Sequence, residues 1–336
     1  MSIFYTLVIL CVLVFVHEFG HFAVAKLSGI KVHEFAIGMG PQVISRCVGE
    51  TRYSIRLFPI GGFVAMEGED EASEDERAFC NKSVLARMAV TFAGPAMNFI
   101  FAAIFFMIAF MFFGMPATNG LVGDFEAVSP AAEAGMMKGD VIVSLDEEQI
   151  ANWDDLALFM QGVQPGDAVQ VGYMRGGELY TVTVTTGLNE ETGGAMLGVR
   201  QGVERAGVWN SLKIGCATTL NFTVMLVVSL WQMLTGEMAV EVAGPVGMVS
   251  MVGEFADVGL IYLFLFAGIL SVNLGVMNLL PIPALDGSRL VFLAIEGIRR
   301  KPIDRDKEAT VHLVGFVLLM VLMVVVTYLD IERLMQ

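Results

Sequence analysis

His17-Glu18-Phe19-Gly20-His21 lies inside an apolar run from Ile3 to Leu27. The run is long enough to cross a bilayer, which takes about 20 apolar residues at a rise of about 1.5 Å each. At that depth an ionisable side chain costs roughly 2.5–3.5 kcal/mol or more, and such groups usually mark function. Two histidines at i and i+4 share a helix face and can bind one metal ion. Glu18, beside His17, is placed to act as general base on water next to that ion. A chance HExxH is common in soluble helices, but in hydrocarbon three uncompensated polar groups oppose insertion. The run reads as a metal site inside a membrane.

Composition agrees. With 55% hydrophobic residues and a mean hydropathy of +0.68, the chain is a polytopic membrane protein with room for one soluble domain. A net charge of −15 argues against nucleic acid as a partner. Cys11, Cys47, Cys80 and Cys216 are scattered and form no thiolate cluster. The 22 methionines read as flexible apolar packing. No basic residue precedes the first run, and Lys26 and Lys31 follow it, the reverse of a cleavable signal peptide. It is a retained span.

Four segments read as spans: about Ile3 to Leu27, Val84 to Phe113, Val258 to Leu280 and Ala309 to Leu329. Between the first two, Phe35 to Pro41 and Tyr53 to Phe63 alternate and carry Gly/Pro punctuation, a strand-and-turn pattern. An acidic patch from Glu67 to Glu71, continuing to Glu76, reads as a solvated loop. From Gly120 to about Gly202 short strands (Val141–Leu145, Val169–Tyr173, Thr181–Val184) and one helix near Asp154–Gln161 suggest a small soluble domain. Lys and Arg crowd the first and last inter-span loops and are sparse in that domain. The positive-inside rule puts both loops in the cytoplasm, and the soluble domain and N-terminus outside.

A catalytic zinc takes three protein ligands. The stretch Asn278-Leu279-Leu280-Pro281-Ile282-Pro283-Ala284-Leu285-Asp286-Gly287 offers Asp286 as the third. Pro281 and Pro283 break the helix there and free backbone groups that could bind a peptide. Alone, Asp-Gly after prolines reads as a turn; beside an HExxH on another span it reads as a ligand. For Asp286 to meet His17 and His21, its span must run in the same direction as the first. The apolar stretch Leu212–Leu234 then cannot be a single crossing. Thr218, Thr219, Asn221, Thr223 and the Gly244-Pro245 break suit an interfacial or re-entrant segment.

These residues resemble the site-2 proteases, intramembrane zinc metalloproteases, in their bacterial RseP/RasP-like branch. The likeness covers nearly the whole chain: HEFGH, Gly38-x-Gly40-Pro41, Ile60-Gly61-Gly62, Gly94-Pro95-Ala96-Met97-Asn98, and Asn278 through Leu285-Asp286-Gly287. Ser129 to Gly135 and Gly139-Asp140-Val141-Ile142 resemble a bacterial PDZ domain, of which one is visible. The resemblance implies a polytopic α-helical membrane protein with about four transmembrane helices, a membrane-associated β-sheet loop and one inserted PDZ-like α+β domain. Its expected divisions are 1–115 (HExxH helix, β-loop, second span), 116–205 (PDZ-like), 206–256 (interfacial or re-entrant) and 257–336 (LDG motif and last span).

It further implies that His17, His21 and Asp286 hold Zn2+ and that Glu18 is the base. Asn278, Gly38, Gly40, Pro281 and Pro283 would meet substrate, with the β-loop offering an edge strand to an unwound segment. Implied partners are the lipid bilayer and single-span membrane proteins of the anti-sigma-factor or remnant-signal-peptide kind. An upstream site-1-type protease would first trim them. The implied location is the bacterial inner membrane, with the PDZ domain and both termini outside and the site near the cytoplasm. Three rivals compete: a PDZ adaptor with structural metal, opposed by the intact Glu18; a metal transporter; and a zinc protease of soluble peptides. The transporter lacks a ligand path, since His33 and His312 read as isolated polar residues.

Overall fold

The computed structural model describes the chain except residues 70, 190–191, 239–243 and 336. Asp70 of the acidic patch therefore lies outside the described residues. The chain forms two compact units, Met1–Ala109 with Asn210–Gln336, and Phe110–Trp209.

In chain order the first unit opens with helix α1 (Ser2–Leu27) and strands β1 (Val32–Val48) and β2 (Thr51–Met66). Helix α2 (Val84–Phe112) follows. In lipid the backbone can satisfy its polar groups only internally, so these apolar runs fold as helices. β1 and β2 bend into four short segments. Residues 32–37 pair on one side with 62–66 (Phe35 with Val64) and on the other with 52–55 (Phe35 with Tyr53), while 44–48 pair with 51–55. Segment 62–66 is thus one edge of the sheet and 44–48 the other.

The Phe110–Trp209 unit contains β3 (Met115–Pro116), β4 (Gly120–Phe125), α3 (Pro130–Glu133), β5 (Val141–Leu145), β6 (Glu148–Gln149) and α4 (Trp153–Gln161). It continues with β7 (Ala168–Arg175), β8 (Glu178–Thr185), β9 (Gly187–Leu188), β10 (Ala195–Met196), β11 (Val199–Gln201) and β12 (Val203–Glu204). The main sheet has the order β11-β4-β5-β7-β8, with β6 on β5. Val122, Ile142, Leu145, Leu156, Val171 and Val184 fill its core, as a PDZ-like α+β domain requires. Asn152 caps α4 through a reciprocal capping box with Asp155.

The first unit resumes with α5 (Val208–Thr235), α6 (Pro245–Val258), α7 (Leu260–Leu279), α8 (Asp286–Arg299) and α9 (Arg305–Met335). Among the described residues five helices are long and apolar enough to cross a membrane: α1, α2, α5, α7 and most of α9. That is one more than the four expected spans. α5 is unbroken, so Leu212–Leu234 forms no re-entrant hairpin. Its polar residues do not interrupt it because Thr219 and Thr223 donate back to the Gly215 and Thr219 carbonyls.

Contacts fix the helix directions. Asn98 of α2 meets His17 while Ala93 lies against Gly20, so α1 and α2 are antiparallel. α7 opposes α2 in turn, with Gly268 against Phe106 and Gly275 against Phe99. α7 therefore runs with α1, as the ligand geometry demands. The first half of α5 packs on the C-terminal half of α2, where Phe222 stacks on Phe106. α6 packs on the N-terminal half of α1 through Val252, near Tyr5 and Ile9. Both contacts lie at the same end of the bundle. α9 runs back the other way. The Asp330 carboxylate accepts the Gly244 and Gly247 amides and caps α6 from another helix.

In the PDZ-like unit Asp140 is buried and accepts from Arg175 Nε at 2.7 Å and from the Met137 amide. Burial pushes its carboxyl up, but the Arg175 and Met137 hydrogen bonds prevail and hold it below its ordinary value. This stability is present above the unfolded pKa of about 4 and is lost as pH falls through the folded value. Arg175→Met, which strands the Asp140 charge, should cost about 2–3 kcal/mol, somewhat below a fully buried pair because Arg175 is partly exposed. Amide exchange of the β7 core residues Val169 and Val171 in the intact protein reads that loss, and unchanged protection would refute it.

Candidate metal centre

α1 presents His17 and His21 one turn apart towards α2, and the start of α8 brings Asp286 to them. His17 Nε2 lies 3.2 Å from His21 Nε2. Asp286 Oδ2 lies 3.2 Å from the first and 3.3 Å from the second. Among the described residues these three side chains form a group whose donor atoms are close enough together to hold one metal ion. Bonds of about 2.0–2.1 Å to a tetrahedral ion set neighbouring donors about 3.3 Å apart, which is the triangle observed.

The far side of each imidazole supports that reading. His21 Nδ1 lies 2.8 Å from the Val90 carbonyl, so Nδ1 carries the proton and Nε2 is free to ligate. His17 Nδ1 lies 3.1 Å from the Asn98 amide group, which is wholly buried. The nearer amide atom is Nδ2 and Oδ1 is left without a partner; exchanging the two amide atoms lets His17 Nδ1–H donate to Oδ1, with Nε2 again facing inward. Asp286 Oδ2 is buried with no hydrogen-bond partner, as a carboxylate oxygen reserved for an ion would be. The residues present fit zinc.

Local sequence explains how three helices come this close. A Cβ on Gly94 would lie 2.3 Å from His21 Nε2 and 2.9 Å from His17 Cε1. A Cβ on Gly20 would lie 2.3 Å from the Ala93 carbonyl. Small residues allow such backbone approach inside membranes. Gly287 does the same for α8, where a Cβ would meet the Leu279 and Leu280 carbonyls at 2.3 and 2.2 Å. That glycine lets Asp286 sit in the first turn of α8, directly against the end of α7.

Glu18, His17, His21, Asp286 and Asn278 line one cavity of about 290 Å3. Phe63, Val64 and Met66 close another wall, so the sheet edge beside the site is 62–66. Gly62 is tucked against Glu18, its Cβ position 3.2 Å from Glu18 Cγ. The remaining expected substrate residues lie elsewhere. Gly38 and Gly40 have φ of 86° and 84°, and their Cβ positions would clash with Phe58; they shape the hairpin and do not line the cavity. Pro283 packs against Gly315 of α9, and Pro281 is not among the cavity's lining residues.

Sequence reasoning gave no role to several neighbours. Asn98 was visible as a fully polar residue in an apolar helix, the signal that should have singled it out. Glu69, expected in a solvated patch, instead pairs with Arg289 of α8. Both line the site cavity and a neighbouring one of about 450 Å3.

The chain matches Peptidase family M50 over residues 5–322. The chain belongs to that family. It is an intramembrane zinc metalloprotease with several membrane-embedded helices. The zinc metalloprotease RasP of Geobacillus kaustophilus is 33% identical over 414 residues, covering 99% of this chain and 98% of its own. The regulator of sigma-W protease RasP of Bacillus subtilis is 33% identical, covering 98% and 97%. These alignments exceed the 336 residues here, so both relatives hold inserted residues that this family member lacks. A solved PDZ domain of an SdrC-like protein from Listeria monocytogenes is 17% identical at a TM-score of 0.23, over 26% of this chain and 92% of that one.

In a peptidase of this build Gly94→Ala should displace both imidazoles and lower zinc content at least tenfold in purified protein. Asn98→Ala should weaken zinc retention about 10–100-fold, and Asn98→Asp much less, because Asp keeps an acceptor for His17 Nδ1. Zinc measured after dialysis against a chelator checks both; equal loss in the two Asn98 variants would remove its orienting role.

Proposed function

We propose that this protease cleaves single-span membrane proteins within or beside their membrane segment, with His17, His21 and Asp286 holding zinc and Glu18 as the base. The observation that carries this reading is the convergence of the three donors, Glu18 and a free sheet edge on one cavity. When bound, zinc lowers the pKa of water toward about 7 and polarises a peptide carbonyl. Glu18 takes the proton of the attacking water and returns it to the leaving amine. A peptide bond in a helix is shielded by its own hydrogen bonds, so the substrate must first unwind. Segment 62–66 satisfies the unwound backbone by strand addition, where lipid offers no partner. Asn278 lines the same cavity and supplies donors and an acceptor to the substrate backbone or oxyanion.

The substrate class is a protein already trimmed by a first, site-1-type protease: an anti-sigma factor or a remnant signal peptide. The printed name of the Bacillus subtilis relative, a regulator of sigma-W, supports the first of these. Residues 116–205 form the PDZ-like domain that selects trimmed ends. Lys and Arg distribution supports an inner-membrane location, with that domain and both termini outside and the site towards the cytoplasm. The stretches 1–115 and 257–336 carry the catalytic residues, and 206–256 carries the connecting helices.

The test pairs metal content with cleavage in detergent-purified wild type and Glu18→Gln, using a tagged single-span protein with a short outer stub. Both forms should hold zinc, and the variant should lose at least about 100-fold in rate, the contribution of a general base. Cleavage by Glu18→Gln at the wild-type rate would remove Glu18 from the mechanism. Deleting Gly120–Gly202 should admit untrimmed substrates; unchanged selectivity would sink the filter.

A further inference from the structure

We propose that His312 of α9 is a positioning residue: it holds the backbone turn at Ala284 and so fixes Asp286 at the metal centre. The inference rests on Asp286 being a zinc ligand. Among the described residues only three non-glycine positions have positive φ, and Ala284, at 77°, is one of them. Alanine has no polar side chain to support that conformation locally, unlike Asn or Asp. It stands two residues before Asp286, between Pro283 and Leu285, so any relaxation of the turn moves the carboxylate. Something outside the turn must hold it.

That support comes from 28 residues further along the chain. The Ala284 amide donates to His312 Nδ1 at 3.1 Å. An accepting Nδ1 requires the neutral imidazole with its proton on Nε2. Nε2 is buried without a hydrogen-bond partner among the described residues, 3.9 Å from Glu308 Oε1 one turn earlier on α9, so the Ala284 amide alone sets that tautomer. A second grip lies one turn further along the same face. Gly315 receives Pro283, and a Cβ there would sit 2.3 Å from Pro283 Cβ and 2.6 Å from its carbonyl oxygen. Phe292 of α8 borders the His312 ring at 5.9 Å between centroids. α9 thus grips the two residues that precede Leu285-Asp286. His312 itself is not a member of the ligand cluster. Its role is that of an outer partner that orients a ligand through the backbone.

The experiment uses full-length, detergent-purified protein carrying zinc or substituted cobalt. Two readings are taken: the rate of metal loss to a chelator and the cobalt visible spectrum. His312→Asn keeps an acceptor near the Nδ1 position, and His312→Leu removes it at similar volume. We expect His312→Leu to lose metal about tenfold faster or more, with a changed cobalt spectrum, and His312→Asn to behave as wild type. Adding Ala284→Gly to His312→Leu should recover much of the retention, because glycine adopts the left-handed conformation unaided. Wild-type retention and spectrum in His312→Leu would overturn the inference. So would equal loss in the Asn and Leu variants, which would mean packing alone. Should His312→Leu fail to accumulate, Gly315→Ala replaces it; it must show the same faster loss, and wild-type behaviour refutes the grip. Asp286→Asn separates the two claims. If it leaves metal retention unchanged, the ligand assignment falls; if it alone perturbs the site, only the role of His312 falls.

Discussion

Hydrocarbon offers no hydrogen bonds, so a polar side chain on α1 must find its partner on another helix of the same protein. His21 finds the Val90 carbonyl and His17 finds Asn98, both on α2. Asn98 is tied onward, its own carbonyl accepting from Ser271 of α7. The three helices are therefore joined at the depth of the metal centre by bonds that also set the tautomer of each imidazole. Satisfying buried polar groups and orienting His17 and His21 towards Asp286 are here one arrangement. The glycines follow from it: at Gly20 the two backbones touch, and Gly94 leaves the space that both imidazoles occupy.

The sheet at Val32–Met66 is built on the same economy of space. Phe22, Phe35 and Val64 pack with Ala25 and Val90 so that the sheet rests on α1 and α2. Segment 62–66 then lies along the cavity with one side unpaired. Glu34 anchors the inner part of the sheet: burial raises its carboxyl, but Ser54 and Arg56 hydrogen bonds more than offset that and keep it charged. At the turn, hydrogen bonds from Arg77 and then Lys26 draw the Glu50 carboxyl down to about 2. The hairpin is fastened at its turn and in its inner part, and among the described residues segment 62–66 carries no strand on its outer side.

How far the sequence could be read depends on chain distance. The i, i+4 spacing of His17 and His21 is a local fact of helix geometry. Asp286 needed only residue type and the direction of its span. Asn98 and His312 act across 81 and 28 residues, and no local pattern encodes such a contact. His312 looked isolated because its partner is a backbone amide, which every residue carries. Gly38 and Gly40 were expected to meet substrate on the family resemblance alone; in the fold Phe58 lies against both of their Cβ positions. α5 was expected to be interfacial or re-entrant because of the direction its neighbours must run; its threonines, which suited that reading, bond to their own helix and leave it unbroken.

α9 is gripped at both ends. Near its start Gly315 seats Pro283, and towards its finish Asp330 holds the first amides of α6. Roughly 22 Å of helix separates the two grips. A helix has phase as well as length, and each added residue turns everything beyond it by about 100°. One residue inserted between Gly315 and Asp330 would swing the carboxylate away from α6 whenever Pro283 stayed seated. The spacing of this last helix works like a key cut to two wards, so its apolar surface can vary freely while its residue count cannot.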